Sequence, residues 1–181
     1  MFLAEDQKAD GKVMPALRLM AGGGAPKPPE VYYAVKEGMG VPIVHGYGMT
    51  ECPMICNGSP SDTDDQLANT EGAPIEGCSV SIVDPETGET VPRGVPGEFC
   101  TRGYSVMQGY WNDPERTAQA IDEDGFMHTG DLATMDEDGY VNIVGRTKDM
   151  VIRGGENVYP REIEEFLYGH PHIRDVQVVG V

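Results

Sequence analysis

The chain has 181 residues, of which 39% are hydrophobic, a size and composition typical of one ordinary globular domain with its own core. Its formal net charge of −17 argues against nucleic acid as the main partner, because phosphate binding needs a basic surface. No apolar run approaches the length of a membrane span, and residues 1–10 are too acidic and too poor in apolar residues to predict a signal peptide.

The first predicted elements form a strand–helix–strand unit. A strand over 17–21 is followed by the glycine-rich loop GGGAP, and prolines at 28 and 29 favour a helix over 29–38. The predicted buried face of this helix has four apolar residues: Val31, Ala34, Val35 and Met39. A second strand over 41–45 leads into GYGMTE. This order makes the two strands parallel, so both glycine-rich loops should leave one edge of the sheet, where ligands bind in open α/β folds.

From about Asn69 onward, short strand-like runs alternate with turns and predict a small antiparallel β-subdomain. Its predicted strands cover 79–83, 97–101, 125–129 and 132–144, with a turn at 136–139 inside the last run. A helix is expected from the cap and proline at 112–115 to about Ile121. Trp111, just before that helix, is interpreted as a core anchor.

A charged cluster that includes Arg146 and Lys148 separates the apolar runs 140–144 and 150–152, a pattern we interpret as a joint between two bodies. Gly154 and Gly155 suit a backbone that bends sharply or approaches a ligand closely. A helix over 160–167 is then predicted to bury Ile163, Phe166 and Leu167, and a strand is predicted over 175–181.

The four cysteines are Cys52, Cys56, Cys78 and Cys100. They lack the paired CxxC spacing of a zinc site and the secretory context of a disulfide framework. We interpret them as reduced, structural thiols of a cytoplasmic protein.

Two segments have side chains suited to a nucleotide. In HGYGMTE, the glycines leave the ring of Tyr47 free to stack on a base, which contributes roughly 1–3 kcal/mol. Thr50 can donate to a phosphate oxygen, and the carboxylate of Glu51 can hold Mg²⁺. The carboxylate of Asp131, in TGD, could accept hydrogen bonds from both ribose hydroxyls. From the residues alone, simple turns remain the alternative for both segments.

These segments together resemble the adenylate-forming enzymes, which include acyl- and aryl-CoA synthetases, luciferases and adenylation domains. GRTKDMVIRGGENVYPREIE, at 145–164, resembles their hinge, HGYGMTE their adenine and Mg²⁺ loop, and GFMHTGDL, at 125–132, their ribose segment. The resemblance implies an α/β fold. Residues 1–146 would be the latter part of the AMP-binding large domain, with a parallel α/β unit and a small β-subdomain. Residues 147–181 would be the hinge and the start of a truncated, small α+β C-terminal domain.

The resemblance also implies a role for each candidate residue. Tyr47 would stack on adenine between Gly46 and Gly48, Thr50 would contact the α-phosphate, and Glu51 would bind Mg²⁺. Asp131 would bind the ribose, Arg146 the ribose or a phosphate, and Ile143 the adenine. His45 would lie near the acyl pocket, with Gly24 and Ala25 bordering the adenine and the acyl group. Lys148 would be the catalytic hinge residue, and Gly154 and Gly155 would line the channel for the pantetheine arm of coenzyme A.

The implied reaction joins a carboxylic acid to ATP, giving an acyl-adenylate and pyrophosphate, and then transfers the acyl group to coenzyme A. GEFCTRGYSVMQGYWNDPERTAQAI most resembles fatty acyl-CoA synthetases, so the expected partners are a fatty acid, ATP and coenzyme A. An aryl-acid or carrier-protein ligase and a non-catalytic nucleotide-binding remnant stay as alternatives, and homo-oligomerisation stays open. The family's phosphate loop and late lysine have no counterpart here, so we expect a partial chain that is inactive alone.

Overall fold

The computed structural model describes residues 14–25, 27–153, 156–170 and 172–179. These residues contain a mixed four-stranded sheet, an antiparallel four-stranded sheet and a two-stranded ribbon. The mixed sheet has the order β1-β2-β3-β4 and consists of Met20–Gly23, Ile43–Met49, Cys52–Asn57 and Ala73–Pro74. Strands β1 and β2 are parallel, as predicted, and helix α1 (Pro29–Met39) connects them. Helix α2 (Asp64–Asn69) lies between β3 and β4, both of which run antiparallel to their neighbours.

Helix α1 buries Tyr32, Val35 and Met39. The prediction that Val31 and Ala34 face the core is wrong, because the helical stripe begins one residue later, at Tyr32. A tyrosine can occupy a buried stripe when its hydroxyl finds a partner. Here the hydroxyl of Tyr32 donates to Asp64 Oδ1 at 2.7 Å, and burial together with this bond raises the pKa of the phenol to about 12.

The second sheet is antiparallel, as predicted, with the order β5-β6-β7-β8. Its strands are Cys78–Val83, Gly97–Gly103, Met127–Met135 and Val141–Arg146. Helix α3 (Pro114–Ala120) lies between β6 and β7, and the Asp113 side chain caps it by accepting from Arg116 N at 3.0 Å.

The two large sheets share one apolar core. Ile55 and Cys56 of the mixed sheet pack in the same buried cluster as Phe99, Met127 and Val141 of the antiparallel sheet. A second cluster lies beneath α1 and includes its buried stripe. Because the main cluster draws on both sheets, the sheets are held in a fixed relation by apolar burial.

Trp111 is not a core anchor, since the residue is 97% exposed. It lies in the turn that precedes the Asp113 cap, and the neighbouring Tyr110 makes the polar contact described below. The described helices are short, and none has the length and apolar content needed to cross a membrane.

After β8 the chain makes a single 3₁₀ turn (Thr147–Asp149), the antiparallel ribbon β9 (Val151–Arg153) and β10 (Glu156–Val158), and helix α4 (Pro160–Tyr168). The predicted buried stripe of α4 is wrong for two of its members: Phe166 is 83% exposed and Ile163 is 38% exposed, while Leu167 is half-buried. The predicted strand over 175–181 is absent across 175–179, where no described strand pairs with it; residues 180 and 181 lie outside the described part.

Gly72 allows the closest approach between backbone segments in the main core. Its φ is +88°, and a Cβ atom there would lie 2.1 Å from the carbonyl carbon of Asn57. Gly88 has a similar φ of +72°, yet a Cβ atom there would meet nothing within 4 Å. We therefore expect Gly88→Ala to lose only about 1–2 kcal/mol of unfolding free energy, the cost of a left-handed alanine.

Gly72→Ala should lose clearly more than Gly88→Ala, because backbone atoms must also move. Urea denaturation of the two variants measures the difference. Equal losses would show that the approach at Gly72 is not a steric constraint.

Candidate functional site

Residues 45–51 do not form the glycine-rich loop predicted from sequence. They are the end of β2 and a tight turn, formed by Thr50 and Glu51, into β3. The register shifts between Tyr47 and Met49, and a Cβ atom on Gly48 would lie 2.2 Å from the carbonyl oxygen of Pro53. Gly48 is therefore required by the close approach of β3, which is a structural reason for the glycine that needs no ligand.

The two predicted glycine-rich segments do meet at one sheet edge. Gly23, at the end of β1, lies opposite Gly46 in β2, and a Cβ atom on Gly23 would come within 2.6 Å of Gly46 O. Gly24 follows with a φ of +77°, and both Gly24 and Ala25 are exposed. The parallel arrangement inferred from sequence thus brings GGGAP beside the start of HGYGMTE.

Asp131 lies in a bulge of β7 and not at the end of a strand. Cys100 pairs with His128 and Glu98 pairs with Leu132, so β7 advances four residues while β6 advances two. Gly130, with a φ of +71°, makes this possible.

The hydroxyl of Thr129 fixes the bulge by donating to Phe99 O at 2.7 Å and accepting from Asp131 N at 3.1 Å. Bulges re-aim side chains, and this one directs Asp131 to the mixed sheet.

Tyr47 and Asp131 are joined across the two sheets. The Tyr47 hydroxyl donates to Asp131 Oδ2 at 2.5 Å, and the Tyr47 ring packs at 5.6 Å from the ring of Phe99. The ring is half-buried, so it is less free than the flanking glycines suggested. Burial, reinforced by the bond to the Asp131 carboxylate, raises the pKa of the Tyr47 phenol well above its ordinary value.

Arg146 completes this group. It lies directly opposite Asp131 in the β7–β8 pairing, with its Nε 3.4 Å from Asp131 Oδ1, and its side chain is 61% exposed. Ile143, two pairs further along β8, is buried in the main core. A phenol, a carboxylate and a solvent-facing guanidinium therefore converge at one end of the shared core, which we call the junction cluster: Tyr47, Asp131 and Arg146.

Thr50 and Glu51 lie at the tip of the hairpin, where Thr50 is exposed and Glu51 is half-buried. Glu51 Oε1 accepts a hydrogen bond from the Tyr110 hydroxyl at 2.8 Å, and Glu51 O accepts from Met107 N at 2.8 Å. The segment around Tyr110, interpreted from sequence as purely structural, thus holds a candidate metal ligand in place.

His45 is buried, and its Nδ1 contacts Glu71 Oε2. Both residues line a cavity of about 120 Å³ together with Lys27 and Asn142. Lys27 Nζ donates to the carbonyls of Leu67 and Ala68 at 2.8 Å each. Burial lowers the pKa of Lys27, opposed by the nearby Glu71. Sequence reasoning missed Glu71, since nothing local distinguishes it from a surface acid.

Lys148 is exposed in the 3₁₀ turn that follows β8. Gly154 and Gly155 lie outside the described residues. The structure therefore brings together the candidates on β2, β7 and β8, while Lys148 lies beyond them at the start of the last segment.

Comparisons with known proteins agree on one family. A sequence profile of the family described as AMP-binding enzyme matches residues 1–111. The chain is 51% identical, over its whole length, to 34% of the Bacillus subtilis protein YngI, whose name describes it as an acyl-CoA synthetase. It is 45% identical, over 90% of its length, to 27% of the human mitochondrial medium-chain acyl-CoA ligase ACSF2.

A solved structure shows the same fold. The anthranilate CoA ligase AuaEII in complex with anthranoyl-AMP superposes with a TM-score of 0.83 at 32% identity, covering 99% of this chain and 34% of that protein. The chain spans about a third of the length of these relatives.

The raised pKa of Tyr47 predicts a pH-dependent stability. A phenol whose folded pKa exceeds its unfolded value of about 10 stabilises the fold fully below pH 10, and this contribution falls as pH rises further. Tyr47→Phe lacks the phenol, so the stability advantage of the wild type over this variant should shrink by about 1 kcal/mol between pH 10 and pH 11, since half of the unfolded phenol is already ionised at pH 10. Urea denaturation at both pH values measures the difference.

Tyr104→Phe is the matched control, because Tyr104 is 76% exposed. Its stability relative to the wild type should change far less over the same pH range. If Tyr47→Phe behaves like Tyr104→Phe, the bond between Tyr47 and Asp131 does not form in solution.

Proposed function

The chain belongs to the family of AMP-binding enzymes, and on that basis we propose that the whole protein activates a carboxylic acid as an acyl-adenylate and transfers it to coenzyme A. The α/β fold predicted from sequence, that of the latter part of an adenylate-forming large domain, is confirmed by the solved relative. An AMP-forming acid–thiol ligase is supported by the acyl-CoA synthetase and ligase names of the relatives. In this proposal residues 1–146 belong to the large domain and 147–181 to the hinge and C-terminal domain.

The observation that carries the proposal is the junction cluster. A carboxylate offers about four acceptor positions, so Asp131 can accept from two ribose hydroxyls after giving up or sharing the Tyr47 hydroxyl. The Tyr47 ring, which is half-buried and in tilted contact with Phe99, would stack on the adenine. Arg146 supplies a positive charge, next to Asp131, for the ribose or a phosphate.

The hairpin tip is suited to the triphosphate. Thr50 is exposed and can donate its hydroxyl to the α-phosphate. Glu51 is held by Tyr110 through one carboxylate oxygen, which orients the other as an oxygen ligand of the kind that Mg²⁺ prefers. The residues present thus fit Mg²⁺, which when bound with ATP would neutralise phosphate charge.

The remaining assignments concern the acid and coenzyme A. His45 and Glu71 line the cavity described above, which is proposed to lie near the acyl group. Gly24 and Ala25 follow the end of β1, beside β2, and are proposed to border the adenine and the acyl group. Lys148 is proposed as the hinge. Gly154 and Gly155, which the structure does not describe, are proposed to line the coenzyme A channel.

A fatty acid is the proposed substrate, supported by the medium-chain ligase ACSF2. An aryl acid is the second candidate, supported by AuaEII, which is named for anthranilate. Assaying the full-length protein against a panel of fatty and aryl acids with coenzyme A separates the two, and a carrier protein offered as acceptor tests the remaining ligase class.

A cytoplasmic location is proposed, although the human relative is named as mitochondrial. Imaging a tagged protein in its own host tests this location. The inactivity of the 181-residue chain by itself stays a prediction, checked by acid-dependent pyrophosphate release.

Nucleotide binding by the junction cluster is tested with AMP at millimolar concentration. We expect weak binding, measured by calorimetry on the purified chain, and at least about tenfold weaker binding for Asp131→Asn, because a hydrogen bond to a charged acceptor contributes about 1.5–3 kcal/mol. Asparagine keeps an oxygen for the Tyr47 hydroxyl, so this variant should fold.

Asp138→Asn is the matched control, since Asp138 lies in the exposed turn between β7 and β8. It removes the same charge from the same sheet and should leave AMP binding nearly unchanged. Equal affinity of the wild type and Asp131→Asn, with both chains folded, would contradict the proposed role of Asp131.

A further inference from the structure

Strands β6 and β7 bring a thiol, an imidazole and a carboxylate together outside the junction cluster. Glu98 and Cys100 are two residues apart on β6, so their side chains share one face of the sheet. His128 lies directly opposite Cys100 on β7. The three potential ligand atoms all lie within 4.8 Å of one another.

This group, which we call the thiol cluster, faces away from the nucleotide side. Phe99 lies between Glu98 and Cys100 in sequence, and it points to the opposite face, where it packs in the main core against Tyr47. The thiol cluster is therefore not a part of the proposed adenosine site.

The Cys100–His128 distance fits the spacing between ligands of one ion, and the Glu98–His128 distance is a few tenths of an ångström shorter than that spacing. Cys100 Sγ lies 3.5 Å from His128 Nδ1, and Glu98 Oε2 lies 2.9 Å from the same nitrogen. In a tetrahedral zinc site with Zn–S near 2.3 Å and Zn–N and Zn–O near 2.0 Å, neighbouring ligand atoms are about 3.3–3.5 Å apart. Small side-chain adjustments would bring all three atoms to one centre.

Asp122 lies where a metal-binding histidine usually has a carboxylate partner. Its Oδ2 lies 3.7 Å from His128 Nε2, on the other side of the ring. Without a cation, the closer Glu98 carboxylate favours hydrogen on Nδ1; a cation bound to Nδ1 would leave the hydrogen on Nε2, where Asp122 would accept it after a small approach. His128 Nδ1 offers a single bonding position, so hydrogen bonding can satisfy either Cys100 or Glu98 through it, whereas one cation would engage all three groups.

We propose that Glu98, Cys100 and His128 bind a divalent transition-metal ion of the Zn²⁺ type, with Asp122 orienting His128. Sulfur and imidazole ligands select such an ion over Mg²⁺, so this site differs in chemistry from the one proposed at Glu51. Cys100 is buried, while the His128 side chain is 35% exposed and provides a path of entry. Three protein ligands leave a fourth position for water. The ion would tie β6 to β7 immediately before the bulge that aims Asp131.

The test is a titration of the chelator-treated 181-residue chain with Co²⁺, followed by competition with Zn²⁺ against a chromophoric chelator. Thiolate ligation gives a near-ultraviolet sulfur-to-cobalt absorption, which should saturate at about one equivalent and disappear when Zn²⁺ is added. Millimolar Mg²⁺ should not remove it. Because the readout is spectroscopic, the result does not depend on nucleotide binding or on ligase activity.

Cys100→Ser should abolish the absorption, and Cys78→Ser should preserve it. Cys78 is the matched control because it lies on the neighbouring strand β5, where its thiol contacts the Ser105 hydroxyl at 3.4 Å. Asp122→Asn leaves the three ligands in place and keeps a side-chain oxygen to accept from Phe126 N, and it should weaken Zn²⁺ binding about 10- to 100-fold.

Three results would overturn the proposal. One is the absence of a saturable thiolate absorption in the folded wild-type chain, which would leave the thiol cluster as a hydrogen-bonded group only. Another is an absorption that survives Cys100→Ser, since the acidic chain would then be binding cobalt elsewhere. The third is an equal loss in Cys78→Ser.

Discussion

The hydrogen bond from the Tyr47 hydroxyl to the Asp131 carboxylate joins the two large sheets at one end of their shared core. Hydrogen bonds to charged acceptors contribute about 1.5–3 kcal/mol, and a half-buried carboxylate without a partner would cost a similar amount. If the proposed adenosine site is correct, a ribose hydroxyl would take the place of the Tyr47 hydroxyl at Asp131, and the carboxylate would keep a donor.

Local sequence patterns predicted those elements whose formation depends on neighbours in the chain. The parallel pair β1–β2 followed from a strand, a proline-started helix and a second strand, and the antiparallel sheet followed from strand-like runs separated by turns. Strand β3 was not predicted: Pro53 lies in it, and proline is rare in strands that have neighbours on both sides. Helix α2 was also not predicted; it is short, although Thr63 and Gln66 form a reciprocal capping box at its start.

In the candidate site too, residues within local motifs could be predicted from sequence, whereas contacts between residues far apart in the chain could not. Tyr47, Glu51 and Asp131 were predicted as candidates because each lies in a short motif whose residue types suit a nucleotide. The hydrogen-bond partners of His45 and Glu51 were not predicted, because Glu71 is 26 residues from His45 and Tyr110 is 59 residues from Glu51, and such pairings are decided by the packing of the sheets. The exposure of Trp111 and Phe166 has the same origin, since hydrophobic character predicts burial only when another surface covers the side chain.

The alternation of side chains along β6 has a consequence for how this segment can vary. Phe99 lies under the tyrosine of the junction cluster, and the residues on either side of it, Glu98 and Cys100, belong to the thiol cluster on the opposite face. Inserting or deleting one residue before Phe99 would exchange the two faces, placing a carboxylate or a thiol in the apolar core and the phenyl ring beside His128. Changes in chain length should therefore be confined to the loop before Gly97 and the turn after Gly103.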